Sequence, residues 1–138
     1  MTYLLDTNVV SEMRKRAPDP AVAAWFDTVP ASDLFLSCLT IGEIRLGVER
    51  LRRRDDRQAV AIEHWLTGLR TLYRDRIVPL DAPIAETWGR INVPNPRPIV
   101  DGLLAATALT WDWTLVTRNV TDFAACGVRL LDPWQARP

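Results

Sequence analysis

Short apolar runs alternate along the chain with longer segments in which apolar residues recur every three or four positions. The short runs predict β-strands at residues 3–5, 34–37, 77–80, 114–117 and 128–131. Strands that alternate with helices, with few hairpin signals between them, are typical of a parallel sheet covered by helices. We therefore predict an α/β fold, a three-layer α/β/α sandwich with a central parallel sheet.

The predicted helices are separated by recognisable breaks. Asp19 and Pro20 suit the cap and first turn of a helix, the polar stretch 50–57 predicts a corner, and the proline-rich stretch 92–98 cannot be helical. No internal repeat or linker appears, so residues 1–136 are expected to form a single domain. The helices are predicted at 9–15, from 20, from about 40, from the corner to about 73, at 82–91 and at 99–111, with a helical turn at 122–125.

Composition excludes several classes of function. Lys and Arg total 17, as do Asp and Glu, so an anionic substrate must be attracted by a local feature of the protein. Two cysteines and a single histidine, His64, give poor support to a zinc site or to Ser-His and Cys-His catalysis. The start of the chain does not resemble a signal peptide, and no apolar stretch approaches a membrane span, so we expect a cytoplasmic protein without a membrane partner.

Four acidic residues are expected at one edge of the predicted sheet. Asp6 ends the first strand, Asp122 follows the fourth, and Asp101 begins the Ala/Leu-rich helix at 99–111. Glu43 lies early in the helix after the second strand, off its apolar stripe. Ligands of such sheets bind outside the carboxyl ends of the strands, which predicts a shared site. Each acid has a structural alternative: the aspartates could cap helices, at about 1 kcal/mol each, and the glutamate could be solvated.

A cluster of these acids would favour cation binding. Two carboxylates 4 Å apart repel each other by about 4 kcal/mol at an effective dielectric constant near 20, so the cluster would take up protons or a cation. An all-oxygen site without His or Cys selects hard ions such as Mg²⁺ or Mn²⁺. Such an ion lowers the pKa of an attacking water, and a second ion about 3.5–4 Å away can stabilise the leaving oxygen of a phosphodiester.

Five ordered blocks of sequence carry a family resemblance: LLDTNVVSE, LTIGEIRLG, PIVDGLLAATAL, LVTRNVTDF and LLDPW. Together they resemble the PIN-domain ribonucleases, and most of all the VapC toxins of type II toxin–antitoxin pairs, in the FitB-like branch. The resemblance spans about residues 2–134. It implies a metal-dependent endoribonuclease that uses Mg²⁺ or Mn²⁺, cleaves RNA, forms a homodimer, and is inhibited by a VapB-type antitoxin in a hetero-oligomer. The metal-binding and catalytic residues it implies are Asp6, Glu43, Asp101 and Asp122.

Further residues have weaker assignments. The resemblance makes Asn8 and Thr117 polar supports near the metal, and Asn119 a lesser candidate of the same kind. Among the basic residues, Arg118 lies between the fourth strand and the acid that follows it, and Arg45 lies on the helix of the predicted glutamate ligand. Both are therefore candidates for contact with substrate phosphates.

One local departure from the family pattern occurs at a helix exit. Relatives often have a glycine between the buried helix and the TRN strand, whereas this chain has Trp111, Asp112 and Trp113. Because no acid of the predicted site is affected, the departure leaves the functional expectation unchanged.

Two alternatives belong to other functional classes. A phosphatase or phospho-accepting, receiver-like domain also has aspartates at strand ends, but it needs a lysine near the phosphate, and Lys15 is the only lysine. A phosphatase would also have a second aspartate where this chain has Asn8. The second alternative is a non-enzymatic partner with a degenerate acidic site, and the retention of all four acids argues against it.

Overall fold

Strands and helices alternate along the chain in the computed structural model, which describes residues 1–135. The predicted domain boundary at residue 136 lies outside the described residues. Within them, no helix combines the length and apolar character that crossing a membrane requires. The strands are β1 (Tyr3–Leu5), β2 (Leu34–Ser37), β3 (Ile77–Val78), β4 (Thr114–Val116) and β5 (Arg129–Leu131). The helices are α1 (Thr7–Arg14), α2 (Pro20–Thr28), α3 (Cys38–Arg52), α4 (Asp56–Leu72), α5 (Ala82–Ile91), α6 (Ile99–Trp111) and α7 (Val120–Phe123).

The strands form one parallel sheet in the order β3-β2-β1-β4-β5. The chain begins in the centre at β1, moves outward through β2 to β3, and then returns to β4 on the other side of β1. The direction of winding therefore reverses between β1 and β4. In open parallel sheets, this switch point is where a crevice opens at the carboxyl ends of the strands.

Side chains that alternate along the strands divide the core into two layers. Leu5 and Val116 are paired in register and face a cluster built with α1, α2, α3 and α4. Their neighbours Leu4 and Leu115 face the opposite side, where they pack against α6 and the buried Phe123 of α7. Since strand side chains point alternately to the two faces of a sheet, this pattern gives helices on both sides. The predicted three-layer fold is confirmed.

Polar caps set the beginnings of the helices that lead into the site. Helix α1 begins at Thr7, earlier than predicted, because the Asp6 side chain accepts a hydrogen bond from the Thr7 N–H at 2.7 Å. Helix α3 begins at Cys38 because the Ser37 hydroxyl accepts from the Leu39 N–H at 3.1 Å. Each cap satisfies a backbone N–H that the helix leaves without a partner. Both helices therefore start at the carboxyl edge of the sheet.

The exit of α6 shows how the chain manages without the glycine common in relatives. Asp112 adopts a left-handed conformation, with φ of 58°. This is the conformation that favours glycine at the end of a helix, although Asp and Asn also adopt it. The Asp112 carboxylate accepts a hydrogen bond from Arg129 at 2.8 Å, and the flanking rings of Trp111 and Trp113 stack with centroids 5.6 Å apart. The exit is thus held by an ion pair and an aromatic pair.

Candidate metal and catalytic site

Asp6 lies at the switch point, where β1 meets β4. Its backbone N–H donates to the carbonyl of Val116 at 2.9 Å, which extends the pairing of the two strands by one residue. One carboxylate oxygen, Oδ1, accepts from the Thr7 N–H, and the other, Oδ2, accepts from the hydroxyl of Thr117 at 2.8 Å. Asp6 is only 6% exposed and Thr117 is fully buried. The predicted support of the acid by Thr117 therefore corresponds to a direct hydrogen bond.

The pKa of Asp6 is raised above its ordinary value of 3.8. Burial is the largest cause, because it removes water from the ionised carboxylate. Hydrogen bonds from Thr117 and Thr7 act in the opposite direction, while the negative charges of Glu43 and Asp101 raise the pKa further. Asp6 is therefore a buried carboxylate whose charged neighbours have the same sign as itself.

Thr7 links Asp6 to Glu43. Its hydroxyl donates to Oε1 of Glu43 at 2.6 Å, while its backbone N–H donates to Asp6. The same hydroxyl lies 3.4 Å from the hydroxyl of Thr40, which is fully buried. Sequence reasoning missed Thr7 as a site residue, and the only available signal was its position between the acid and Asn8. One threonine thus fixes two of the four acids.

Asp101 and Asp122 occupy equivalent positions in their helices. Each is the third residue of its helix, behind Pro98 in α6 and Asn119 in α7, and neither helix has a side-chain cap. The capping alternative for these two acids is therefore wrong. The pKa of Asp101 is raised, first by burial and then by the charges of Asp122 and Glu43. Asp101 is therefore near enough to Asp122 and Glu43 to feel their charges, and its own charge acts on Asp6.

The donor set fits a hard divalent cation. The predicted site residues offer carboxylate oxygens and include no histidine or cysteine, and such sets prefer Mg²⁺ or Mn²⁺. Within residues 1–135, no three acidic, His or Cys side chains are already close enough to form a ready-made metal cage. Carboxylates repel each other, and a bound cation would offset that repulsion. The raised pKa values of Asp6 and Asp101 have the same origin in part.

The remaining predicted residues surround the carboxyl end of β4. Oδ1 of Asn8 accepts from the backbone N–H of Arg118 at 3.5 Å, and the backbone N–H of Asn119 donates to the Thr117 hydroxyl at 3.0 Å. Asn119 thus supports Asp6 indirectly, through its main chain. The guanidinium of Arg118 is exposed and lies 4.9 Å from the centre of the Trp134 ring. Arg118 lies two residues after the end of β4, and its contact with substrate phosphates stays a prediction.

Arg45 has a different environment, in an ion-pair network between α3 and α4. It lies 2.5 Å from Glu63 and 3.1 Å from Glu49, and both glutamates also pair with Arg52. Its charge is thus already offset by two carboxylates, which weighs against the predicted role in substrate binding. His64 is exposed on α4.

A buried aspartate lies at the switch point of a five-stranded parallel sheet, with three more acids near the same edge. The sequence profile of the PIN domain family matches residues 3–126, which include all four acids, and the chain belongs to this family. Toxin FitB of Neisseria gonorrhoeae is 35% identical over 136 residues, covering 95% of this chain and 97% of that protein. The VapC ribonuclease Y4jK of Sinorhizobium fredii is 29% identical over 138 residues, covering 96% and 97%.

Solved structures show the same fold. The crystal structure of FitAcB from Neisseria gonorrhoeae contains a chain 34% identical to this one, with a TM-score of 0.86 and coverage of 98% of this chain and 100% of that chain. The FitAB structure bound to the IR36 DNA fragment gives 31% identity, a TM-score of 0.88 and 99% coverage of both chains. The similarity extends over the whole sheet and both helical layers.

Proposed function

We propose that this protein is a divalent-metal-dependent endoribonuclease and the toxin of a VapBC-type toxin–antitoxin pair, with residues 1–136 as one PIN domain. The observation that carries the proposal is the buried Asp6, whose pKa is raised by burial and by the charges of Glu43 and Asp101, while the charge of Asp122 acts in turn on Asp101. Membership of the PIN family and the similarity to toxin FitB and to a VapC ribonuclease support RNA as the substrate.

Each acid has a proposed role in holding Mg²⁺ or Mn²⁺. Asp6, Glu43 and Asp101 would hold the principal ion, and Asp122 would complete the site or orient the attacking water. When bound, a divalent ion lowers the pKa of water and stabilises charge on a phosphodiester. Asp6 keeps a fixed orientation because both of its oxygens accept hydrogen bonds, and Thr7 similarly fixes Glu43. The exposed Asp122 lies where solvent and substrate can reach it.

The proposal includes the partners that toxins of this type require. A VapB-type antitoxin would inhibit the enzyme in a hetero-oligomer, and the toxin itself would form a homodimer. Support comes from toxin FitB and from the FitAB assembly solved on DNA. The location we propose is the cytoplasm, where the RNA substrate is found.

The phosphatase or receiver-like alternative has little support. Its chemistry needs a lysine at the phosphate, but Lys15 lies 2.8 Å from Oε1 of Glu12 in an ion pair. Its side chain is thus occupied at the end of α1 opposite to Asp6. Trapping a covalent aspartyl-phosphate on the protein would revive this alternative.

Metal removal tests the proposed function directly. Protein stripped with EDTA should not cleave RNA, and Mg²⁺ or Mn²⁺ should restore cleavage. Calorimetric titration of the stripped protein should show uptake of Mn²⁺, and saturation at 100 times the dissociation constant should raise the free energy of unfolding by about 2.7 kcal/mol. Cleavage that persists in EDTA, or absence of metal uptake, would contradict the proposal.

A further inference from the structure

A groove of about 250 Å³ leads away from the acid site between α1, α3 and α4. Thr7 and Glu43 line one end of it. Along α1 the lining continues with Ser11 and Arg14, at spacings of four and seven residues from Thr7, which places them on one face of the helix. Seven residues of helix span roughly 10 Å. The groove therefore begins at the acids and extends about two helical turns from them.

Helix α3 forms a second wall of the groove, which also runs from the acid site towards an arginine. Gly47 follows Glu43 by one turn on the lined face, and Arg54 lies beyond the end of the helix. A Cβ atom placed on Gly47 would meet no other atom within 4 Å, so this wall is open at its middle. The groove is therefore bounded by Glu43 at one end and by Arg14 and Arg54 at the other.

Both arginines are free of carboxylate partners in the part of the chain that the structure describes. Among the described residues, neither Arg14 nor Arg54 forms an ion pair, a property that they share with the neighbouring Arg16, Arg50, Arg53 and Arg57. What sets Arg14 and Arg54 apart from those four is that they line the groove. Two guanidinium groups without acidic partners at one end of a groove suit an anionic ligand. Once a cation occupies the acids, both ends of the groove favour negative charge.

The floor between the two ends is apolar and includes an aromatic ring. Ile62 and Trp65 of α4 line it, and both are half-buried. Aromatic side chains of this kind pack against the unstacked bases of single-stranded nucleic acids. An anion at the far end and an apolar, planar group in the middle together match a nucleotide.

We propose that this groove binds the nucleotide next to the scissile phosphate of a single-stranded RNA. Arg14 and Arg54 contact the phosphate on its far side, and the base packs against Trp65. The inference rests on the proposed nuclease function and adds to it the position of the flanking strand. It also predicts that Gly47 keeps the path open.

Filling the groove at Gly47 is the first test. We expect Gly47→Leu to lower kcat/KM on an oligoribonucleotide at least tenfold, while hydrolysis of bis(p-nitrophenyl) phosphate, which lacks a flanking nucleotide, changes less than twofold. Gly68→Leu is the matched control and should cleave both substrates normally, because Gly68 is exposed on α4, does not line the groove, and also has room for an added side chain. Unchanged cleavage of the oligoribonucleotide by Gly47→Leu, or an equal loss on both substrates, overturns the inference.

The arginines are tested by the salt dependence of RNA binding. With a labelled oligoribonucleotide in Ca²⁺, fluorescence anisotropy should show that Arg54→Gln reduces the slope of log affinity against log salt by about 0.7, the value for one phosphate contact on a single strand. The control Arg53→Gln removes the same charge from an exposed neighbour that does not line the groove. Equal slopes for the two variants contradict the assignment of Arg54.

The outcomes separate this inference from the proposed function. If the unsubstituted protein neither binds nor cleaves RNA, both fail. If it cleaves RNA and Gly47→Leu loses only the binding of a partner protein, the nuclease function stands, the RNA subsite is overturned, and the groove is assigned to a peptide.

Discussion

Two charged clusters share helix α3 and behave in opposite ways. Glu49 belongs to the ion-pair network with Arg45, Arg52 and Glu63, and hydrogen bonds from arginine lower the pKa of both glutamates. Glu43, on the same helix, belongs to the acid cluster, where its charge helps to raise the pKa of Asp6. The helix therefore carries one carboxylate whose charge is offset within the protein and one whose charge is not.

This difference separates a structural charge from a functional one. The network satisfies its own charges on the surface, and exposed pairs of this kind contribute little to stability. The acid cluster concentrates like charge around a buried residue, which costs free energy unless a ligand binds. A protein retains such a cost where it serves binding or catalysis. The contrast can be tested by removing one charge from each cluster.

The largest expected effect is that of Asp6→Asn on RNA cleavage. The change removes one negative charge and a proposed metal ligand while it keeps the shape of the side chain. Cleavage should fall more than about 100-fold, because the loss of residues that merely support a ligand already costs 10–100-fold. The matched control is Glu49→Gln, which removes one negative charge from the network and should cleave RNA normally. If Asp6→Asn cleaves RNA as well as the wild type does, the acid cluster is no more important for catalysis than the ion-pair network.

Thr117→Val should weaken metal binding by about 10–100-fold, because it removes the hydroxyl that donates to Asp6. Calorimetric titration with Mn²⁺ measures the effect. Thr117→Ser retains a hydroxyl and should recover most of the affinity. If the valine variant binds Mn²⁺ as tightly as the wild type, Thr117 contributes packing only.

In the absence of metal, Asp6→Asn should be more stable than the wild type at pH 7. Since the pKa of Asp6 is raised above 3.8 in the folded state, its favourable contribution is complete below that pH and is lost as the pH rises through the raised pKa. We expect the melting temperature in EDTA to rise by about 4 °C, equivalent to roughly 1 kcal/mol in a domain of this size. The difference between the two melting temperatures should disappear near pH 3.5. A variant less stable than the wild type at pH 7 would show that the hydrogen bonds to Asp6 fully offset the cost of burying its charge.

The smallest effect is expected for Glu63→Gln in the network, with the opposite dependence on pH. The pKa of Glu63 is lowered from 4.5 by hydrogen bonding to Arg45, so its contribution is present above that pH and is lost as the pH falls through the lowered value. The melting temperature at pH 7 should fall by no more than about 2 °C, and the loss should shrink in 1 M salt. RNA cleavage by this variant should be unchanged. A loss of cleavage would show that the ion-pair network contributes to the activity of the acid site.

Much of the fold could be predicted because its determinants are local. The alternation of short apolar runs and helical periods identified the strands, and the bounds of α5 and α6 agree with those predicted. The prediction that the acids share one site rested on a single topological fact, that parallel strands end at the same edge of a sheet. The place of Asp6 at the end of β1 could be predicted from its neighbours in sequence.

What the sequence could not provide depends on partners distant in the chain. The role of Thr7 depends on Glu43, which is brought beside it by the packing of α3. The ion pair between Arg45 and Glu63 could not be foreseen, because Glu63 lies on another helix. The sequence alone therefore predicts that Arg45 contacts substrate phosphates. The capping alternative for Asp101 fails because the N-cap of α6 is Pro98, three residues earlier in the chain.

The strand order also has a consequence for the timing of synthesis. Strands β1 and β2 are synthesised first, and β4 and β5 are synthesised last. A growing chain that ends at residue 100 therefore contains Asp6 and Glu43 but neither Asp101 nor Asp122. Thr117, which holds Asp6, also emerges late, with the segment after β4. Under the proposed function, such a growing chain lacks two of the four proposed metal ligands, so the site can be completed only when synthesis is nearly finished.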